Sequence, residues 1–276
     1  MFHSSPEVSS NFPKLRKRIR KRMPPNTVDI IPVDPDVESV NINNGKSAVI
    51  SPAVVQRNEE KYGLRMFVSS LTLLANILTG MCVAVALLFA FRAGLPLGAT
   101  PQHIVLCVIG YQLLMAHAIL SLSSESGWTS KFRMVDKRRV HWILQILGSG
   151  LAITGSFIKI LDKTVHWNTI HGQFALVALV FTTVSLVNGC TSLWAYELKR
   201  FLPMNLSKIA HICLGTVGFV AANITFCHGM DKSFFRSWAT DALANTFISF
   251  VAIMTFIVIL NPLLSFYTKT KSVFKK

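Results

Sequence analysis

Polarity along the chain falls into a polar opening followed by long apolar stretches with short polar breaks between them. Six windows hold no Asp, Glu, Lys or Arg: residues 66–91, 104–122, 142–158, 172–194, 209–227 and 242–268. They run from 17 to 27 residues, and a helix needs roughly 20 apolar residues to cross a bilayer. An amphipathic stripe or a strict alternation, the marks of soluble helices and strands, would look different. The pattern predicts an all-α membrane protein with six transmembrane helices.

Composition agrees. The 276 residues are 51% hydrophobic and 15% charged, with a mean hydropathy of +0.46. A soluble enzyme, a nucleic-acid reader and a secreted disulfide scaffold are excluded. The net charge of +15, from 28 Lys and Arg against 13 Asp and Glu, still needs an explanation. Of the basic residues, 23 lie in residues 1–65, the second and fourth connections and the C-terminal end, and five lie in the other connections. Basic segments stay in the cytoplasm, so both termini are expected there. The excess therefore reads as topology, and no nucleic-acid partner is expected.

Three regions follow: a basic cytoplasmic tail over 1–65, the membrane domain over 66–268 and a short basic tail over 269–276. Seven of the 11 prolines fall in the first 60 residues, a composition that cannot bury enough surface to fold alone. Within that tail, Lys14 to Arg22 places seven cations in nine positions. Such a run clamps anionic membrane lipid, or serves only to hold the tail inside. Trp142, Trp194, Trp167 and Trp238 fall at span ends, the headgroup level that indole favours. The five cysteines lie in apolar windows without a C-x-x-C pair and read as small apolar side chains.

With charge excluded from the spans, the polar side chains left near them become the candidates for chemistry. His103, His141, His171 and His211 stand near the start of the second, third, fourth and fifth spans. The second and fourth spans enter from the non-cytoplasmic side, so His103 and His171 share one level. His141 and His211 share the cytoplasmic level. Two imidazoles from separate helices are what a six-coordinate haem iron requires, and filling both axial positions favours electron transfer over O₂ chemistry. Two such irons would stand roughly 20 Å apart in a ~30 Å core.

A competing pairing uses His103 with His117 on the second span and His211 with His228 on the fifth. The 14-residue spacing of the first pair returns to nearly one face, whereas the 17-residue spacing of the second misses it by about 100°. His117 then reads as a buried polar residue and His228 as an interfacial one. The H-x-x-H-H boxes of membrane di-iron enzymes are absent from the sequence. A transporter with a histidine proton relay would want intramembrane carboxylates or paired helix breaks, and Asn261-Pro262 is a single break. A non-haem transporter or scaffold with packing histidines is the rival reading.

Five motifs carry a family resemblance: Pro101-Gln102-His103, Ser121-Leu122-Ser123-Ser124-Glu125-Ser126, Lys137-Arg138-Arg139-Val140-His141-Trp142-Ile143-Leu144-Gln145, Thr169-Ile170-His171-Gly172-Gln173 and Lys208-Ile209-Ala210-His211. Together they resemble the cytochrome b561 family, in particular its short members known as cytochrome b561 domain-containing proteins, over roughly 66–268. The resemblance implies a six-helix fold whose central four-helix bundle holds two haem b groups on the four histidines above. It implies ascorbate as cytoplasmic donor and monodehydroascorbate or ferric iron (Fe3+) as acceptor on the opposite side. An endomembrane location is implied rather than the plasma membrane, and a homodimer is compatible with it. Arg139 matches a basic position beside the cytoplasmic haem, and Lys137 and Lys208 are further cations for a substrate there. Near His211 the family often carries an arginine in the preceding loop, where this chain has Lys208 at another spacing. On the far side, Lys163, His166 and Trp167 are candidates to line an acceptor site.

Overall fold

The computed structural model describes residues 52–123, 127–193 and 204–274. The basic run from Lys14 to Arg22, Glu125 and Trp194 lie outside them. The elements are α1 (Pro52–Phe91), α2 (Ala99–Cys107), a π-helical stretch (Val108–Met115), α3 (Ala116–Leu120), α4 (Met134–Asp162), α5 (Ile170–Leu193), α6 (Met204–Met230), α7 (Ser233–Ala239) and α8 (Asp241–Phe274). Val108 and Ala116, at the joints of the π-helical stretch, keep right-handed helical dihedrals, so α2, that stretch and α3 form one continuous span. With α1, α4, α5, α6 and α8 this gives six helices long and apolar enough to cross a membrane. This is an integral, multi-pass membrane protein, all-helical among the described residues.

Helix boundaries exceed the charge-free windows at both ends of the chain. α1 begins at Pro52, where a first-turn proline loses no intrahelical bond, and the next proline is Pro96. Residues 52–65, read from sequence as tail, are thus a helical extension of the first span. α8 likewise runs to Phe274, through Asn261-Pro262. The proline there removes one backbone hydrogen bond without ending the helix.

Around the bundle, α4 packs on α2 and the π-helical stretch, α5 on α4, and α6 on α5 along much of their length. α1 and α8 pack on one another and close the flank between α2 and α6. Large apolar side chains such as Leu73, Leu88, Leu147, Val187 and Phe256 stand exposed on the outer faces, as hydrocarbon contact demands. The interior mixes small residues, including Ala75, Ala116, Ala152 and Ala222, with larger ones such as Phe219 and Met254. Lipid tails are as apolar as leucine, so membrane helices gain by close backbone approach. The tightest approach joins the second and third spans. A Cβ on Gly110 would sit 2.7 Å from the Gly148 carbonyl oxygen, and one on Gly148 would sit 2.9 Å from the Gly110 oxygen.

Between α6 and α8 the short α7 lies across one end of the bundle. Its Arg236 donates to Asp231 at 2.6 and 2.9 Å, to Asp241 at 3.0 Å and to Asn245 at 2.8 Å. These hydrogen bonds, the Asp231 bond first, hold the guanidinium above its ordinary value. Phe235 and Trp238 pack edge-on against Phe89 of α1, at 5.0 and 5.2 Å between ring centres.

Gly148→Val is expected to force the second and third spans apart and to destabilise the bundle by about 1–3 kcal/mol, the usual effect of overpacking. Thermal unfolding of the detergent-solubilised protein, followed by loss of the monodisperse elution peak, measures it.

Candidate functional site

Local structure fixes where each histidine stands. Thr169 caps α5, its Oγ1 accepting from the Gly172 N–H at 3.2 Å, the arrangement expected at a helix N-terminus. That cap places His171 in the first turn. Gly98 precedes α2 in extended conformation, and Pro101 falls in the first turn, where proline is tolerated. His103 therefore enters the bundle at the same end as His171. α4 opens with Asp136 in its first turn, favourable at the positive end of a helix dipole and paired with Arg133 and Arg139. His141 follows about two turns into α4, and His211 about two turns into α6, at the opposite end.

The four helices that carry them form a bundle in which neighbours and diagonals do different jobs. Between neighbours, each imidazole donates its Nδ1–H to a backbone carbonyl. His103 on α2 donates to Gly155 on α4 at 2.9 Å, and His141 on α4 donates back to Ala118 on α3 at 2.8 Å. His171 on α5 donates to Thr225 on α6 at 2.8 Å, and His211 on α6 donates back to Ser185 on α5 at 3.1 Å. Across the diagonals the rings meet nearly at right angles: His103 and His171 with centres 6.3 Å apart and planes at 78°, and His141 and His211 with centres 6.2 Å apart and planes at 87°.

This geometry fits a metal ion between each pair of rings. An Nδ1–H committed to a carbonyl leaves the lone pair on Nε2, the usual state of a ligating imidazole. With metal–nitrogen bonds of about 2.0–2.1 Å and each ring centre about 1.1 Å behind its nitrogen, two imidazoles on one ion have centres about 6.2–6.4 Å apart. Both observed separations agree. Among the described residues no three His, Cys, Asp or Glu converge, so each pair can supply only two protein ligands. That is the number a haem iron accepts from protein when its macrocycle supplies the rest.

Room is also provided. A cavity of about 370 Å³ surrounds the His103–His171 pair, reaching from Lys159, Lys163 and Lys232 at its outer end to Tyr111 and Gln112 within. Glycines stand against the rings themselves. A Cβ on Gly189 would meet His211 Cε1 at 3.0 Å, and one on Gly229 would meet His171 Cε1 at 3.4 Å. Each glycine lies one turn beyond the carbonyl that holds the same ring, Ser185 before Gly189 and Thr225 before Gly229.

The other sequence candidates are distributed as follows. His117 donates to Leu113 of its own helix at 2.7 Å, and His228 stacks on Phe174 at 6.4 Å. Lys137 is buried, and its Nζ donates to the Ser123 carbonyl at 2.6 Å, which ties the second connection to α4. Arg139 is exposed beside Asp136, and Lys208 is half-buried one turn before His211. Lys163, His166 and Trp167 all line the cavity, His166 donating from Nε2 to the Ile160 carbonyl at 2.8 Å. Sequence reading missed Lys159 and Lys232 as cavity residues, and the carbonyl partners, which leave no side-chain signal. The Ser-x-x-x-Gly and Thr-x-x-x-Gly spacings on α5 and α6 were the available clue to the glycines.

Two levels of paired imidazole in a six-helix membrane bundle are an arrangement that a membrane cytochrome would use. Comparison with known proteins reaches the same class: residues 102–236, which include all four paired histidines, match the model for eukaryotic cytochrome b561. The chain is 29% identical over 175 residues to proteins of Homo sapiens and Mus musculus, and 27% identical to one of Bos taurus, each called transmembrane reductase CYB561D2. In each case 62% of this chain and 78% of the relative are covered. These matches support a cytochrome b561 family protein. The matched model supports b-type haem binding and transmembrane electron transfer.

Gly189→Val is expected to push the His211 ring off its line toward His141 while leaving His103 and His171 in place. The absorption spectrum of the purified protein should then show its b-type haem signal perturbed.

Proposed function

We propose that the protein is a two-haem transmembrane reductase. His141 and His211 hold the haem at the cytoplasmic level, and His103 and His171 hold the haem at the opposite level. Ascorbate in the cytoplasm is the donor, and monodehydroascorbate or ferric iron on the other side is the acceptor. The observation that carries this reading is the pair of diagonal imidazole separations, 6.3 and 6.2 Å, with all four Nδ1–H groups committed to carbonyls. A haem with both axial positions filled supplies one-electron exchange without an open site for O₂.

The chain's own residues supply orientation and charge. The carbonyls of Gly155, Ala118, Thr225 and Ser185 fix the rings and raise their basicity as ligands. Lys163 and Lys232, cations among the residues lining the cavity, attract an anionic acceptor or the anionic edge of the cofactor. Arg139 and Lys208 play that part for the donor at the other level. Lys137, buried against Ser123, positions the second connection and does not meet substrate. The basic excess on the side of the His141–His211 level supports the orientation. The rival reading, packing histidines in a transporter or scaffold, gives no reason for two matched gaps of one metal ion's width.

His103→Ala, His171→Ala, His141→Ala or His211→Ala should each lower bound haem from about two to about one per chain, while His117→Ala keeps both. Pyridine haemochrome assay of the purified variants checks this, and ascorbate should reduce the wild-type b-type spectrum. Retention of both haems by any of the four, or loss of one in His117→Ala, overturns the ligand assignment.

A further inference from the structure

Between the two histidine levels the bundle interior is polar where packing alone would make it apolar. Tyr111 and Gln112 are consecutive residues of the π-helical stretch, 7% and 1% exposed. They lie about midway between His103 and Ala118, whose carbonyl holds His141. A π-helix has more residues per turn than an α-helix, so Gly110, Tyr111 and Gln112 all face inward in succession. Gly110 meets the backbone of Gly148, and the next two side chains fill the space beside that contact.

Among the described residues, the Gln112 Oε1 is buried without a hydrogen-bond partner, and the buried Tyr111 hydroxyl has only the Thr182 side chain near enough to interact with it. Asn223 on α6, 2% exposed, donates through Nδ2 to the Phe219 carbonyl at 2.8 Å but leaves its Oδ1 unpaired. Tyr111 and Gln112 both line the inner end of the cavity around His103 and His171. An amide oxygen can only accept, and a phenol both donates and accepts. Water offers donors and acceptors together, and buried polar groups without protein partners are the places where proteins hold it.

The geometry points to an internal water-binding site at mid-depth, held by Tyr111 and Gln112, that solvates the charge passing between the two histidine levels. A charge change in a low-dielectric interior is eased by dipoles able to reorient beside it. The hydration half stands on the unpaired atoms alone, and the solvating half rests on the two-haem reading above.

Radiolytic hydroxyl labelling of the full chain in lipid nanodiscs, read by mass spectrometry, tests the first half. Tyr111 should label within about tenfold of exposed Tyr62 despite its burial, because hydroxyl radicals form from bound water, and Gln112→Leu should suppress that label. An unlabelled Tyr111 overturns the site. Potentiometric titration tests the second half. Gln112→Leu and Tyr111→Phe should raise the midpoint of the haem held by His103 and His171 by removing dipoles that favour the more positive ferric form. An expected shift of up to about tenfold in its reduction equilibrium is about 59 mV for one electron. Gln112→Met, closer in volume, guards against misfolding. Labelled Tyr111 with unmoved potentials overturns the solvating role, whereas a preparation without a Soret band overturns the haem reading and leaves the labelling result standing.

Discussion

Four imidazole N–H groups, each bonded to a backbone carbonyl on the adjoining span, set the terms for the rest of the molecule. The bonds are reciprocal: the second and third spans exchange one in each direction, and so do the fourth and fifth. A side chain held this way cannot rotate about its outer bonds without leaving a buried donor unpaired, which costs about 1–3 kcal/mol. Ring orientation therefore follows from helix placement. The diagonal gaps are accurate because the neighbouring contacts are.

Helix placement depends in turn on small residues. Without a hydrophobic drive between helices in lipid, separation is set by how closely backbones can come. Gly110 against Gly148 lets the second and third spans touch at mid-depth, and the alanines at 75, 116, 152 and 222 thin the rest of the interior. Large apolar side chains such as Leu73 and Phe256 also cover the outer faces, where a soluble bundle would be polar. The exposed leucines, valines and phenylalanines need no further partner than acyl chains.

Much of this was legible in the sequence because charge is so costly in hydrocarbon that its absence marks a span directly. The six windows, and the sorting of four histidines into two levels by chain direction, needed no more than that rule. Across the bundle the rings of His103 and His171, and those of His141 and His211, stand near one another. Three things were not legible. Helix ends ran past the charge-free windows, at Pro52 and Phe274, because a helix leaving the bilayer tolerates polar residues. The π-helical stretch from Val108 to Met115 has no distinctive composition. Lys137 looked like a cation open to substrate, and only tertiary packing buries it against Ser123.

Arg236 deserves a last consequence. Its guanidinium grips the end of α6 through Asp231 and the start of α8 through Asp241 and Asn245, while Phe234 and Phe235 of the same short helix form part of the cavity wall. One side chain thereby ties the wall of the cavity to two successive spans at once.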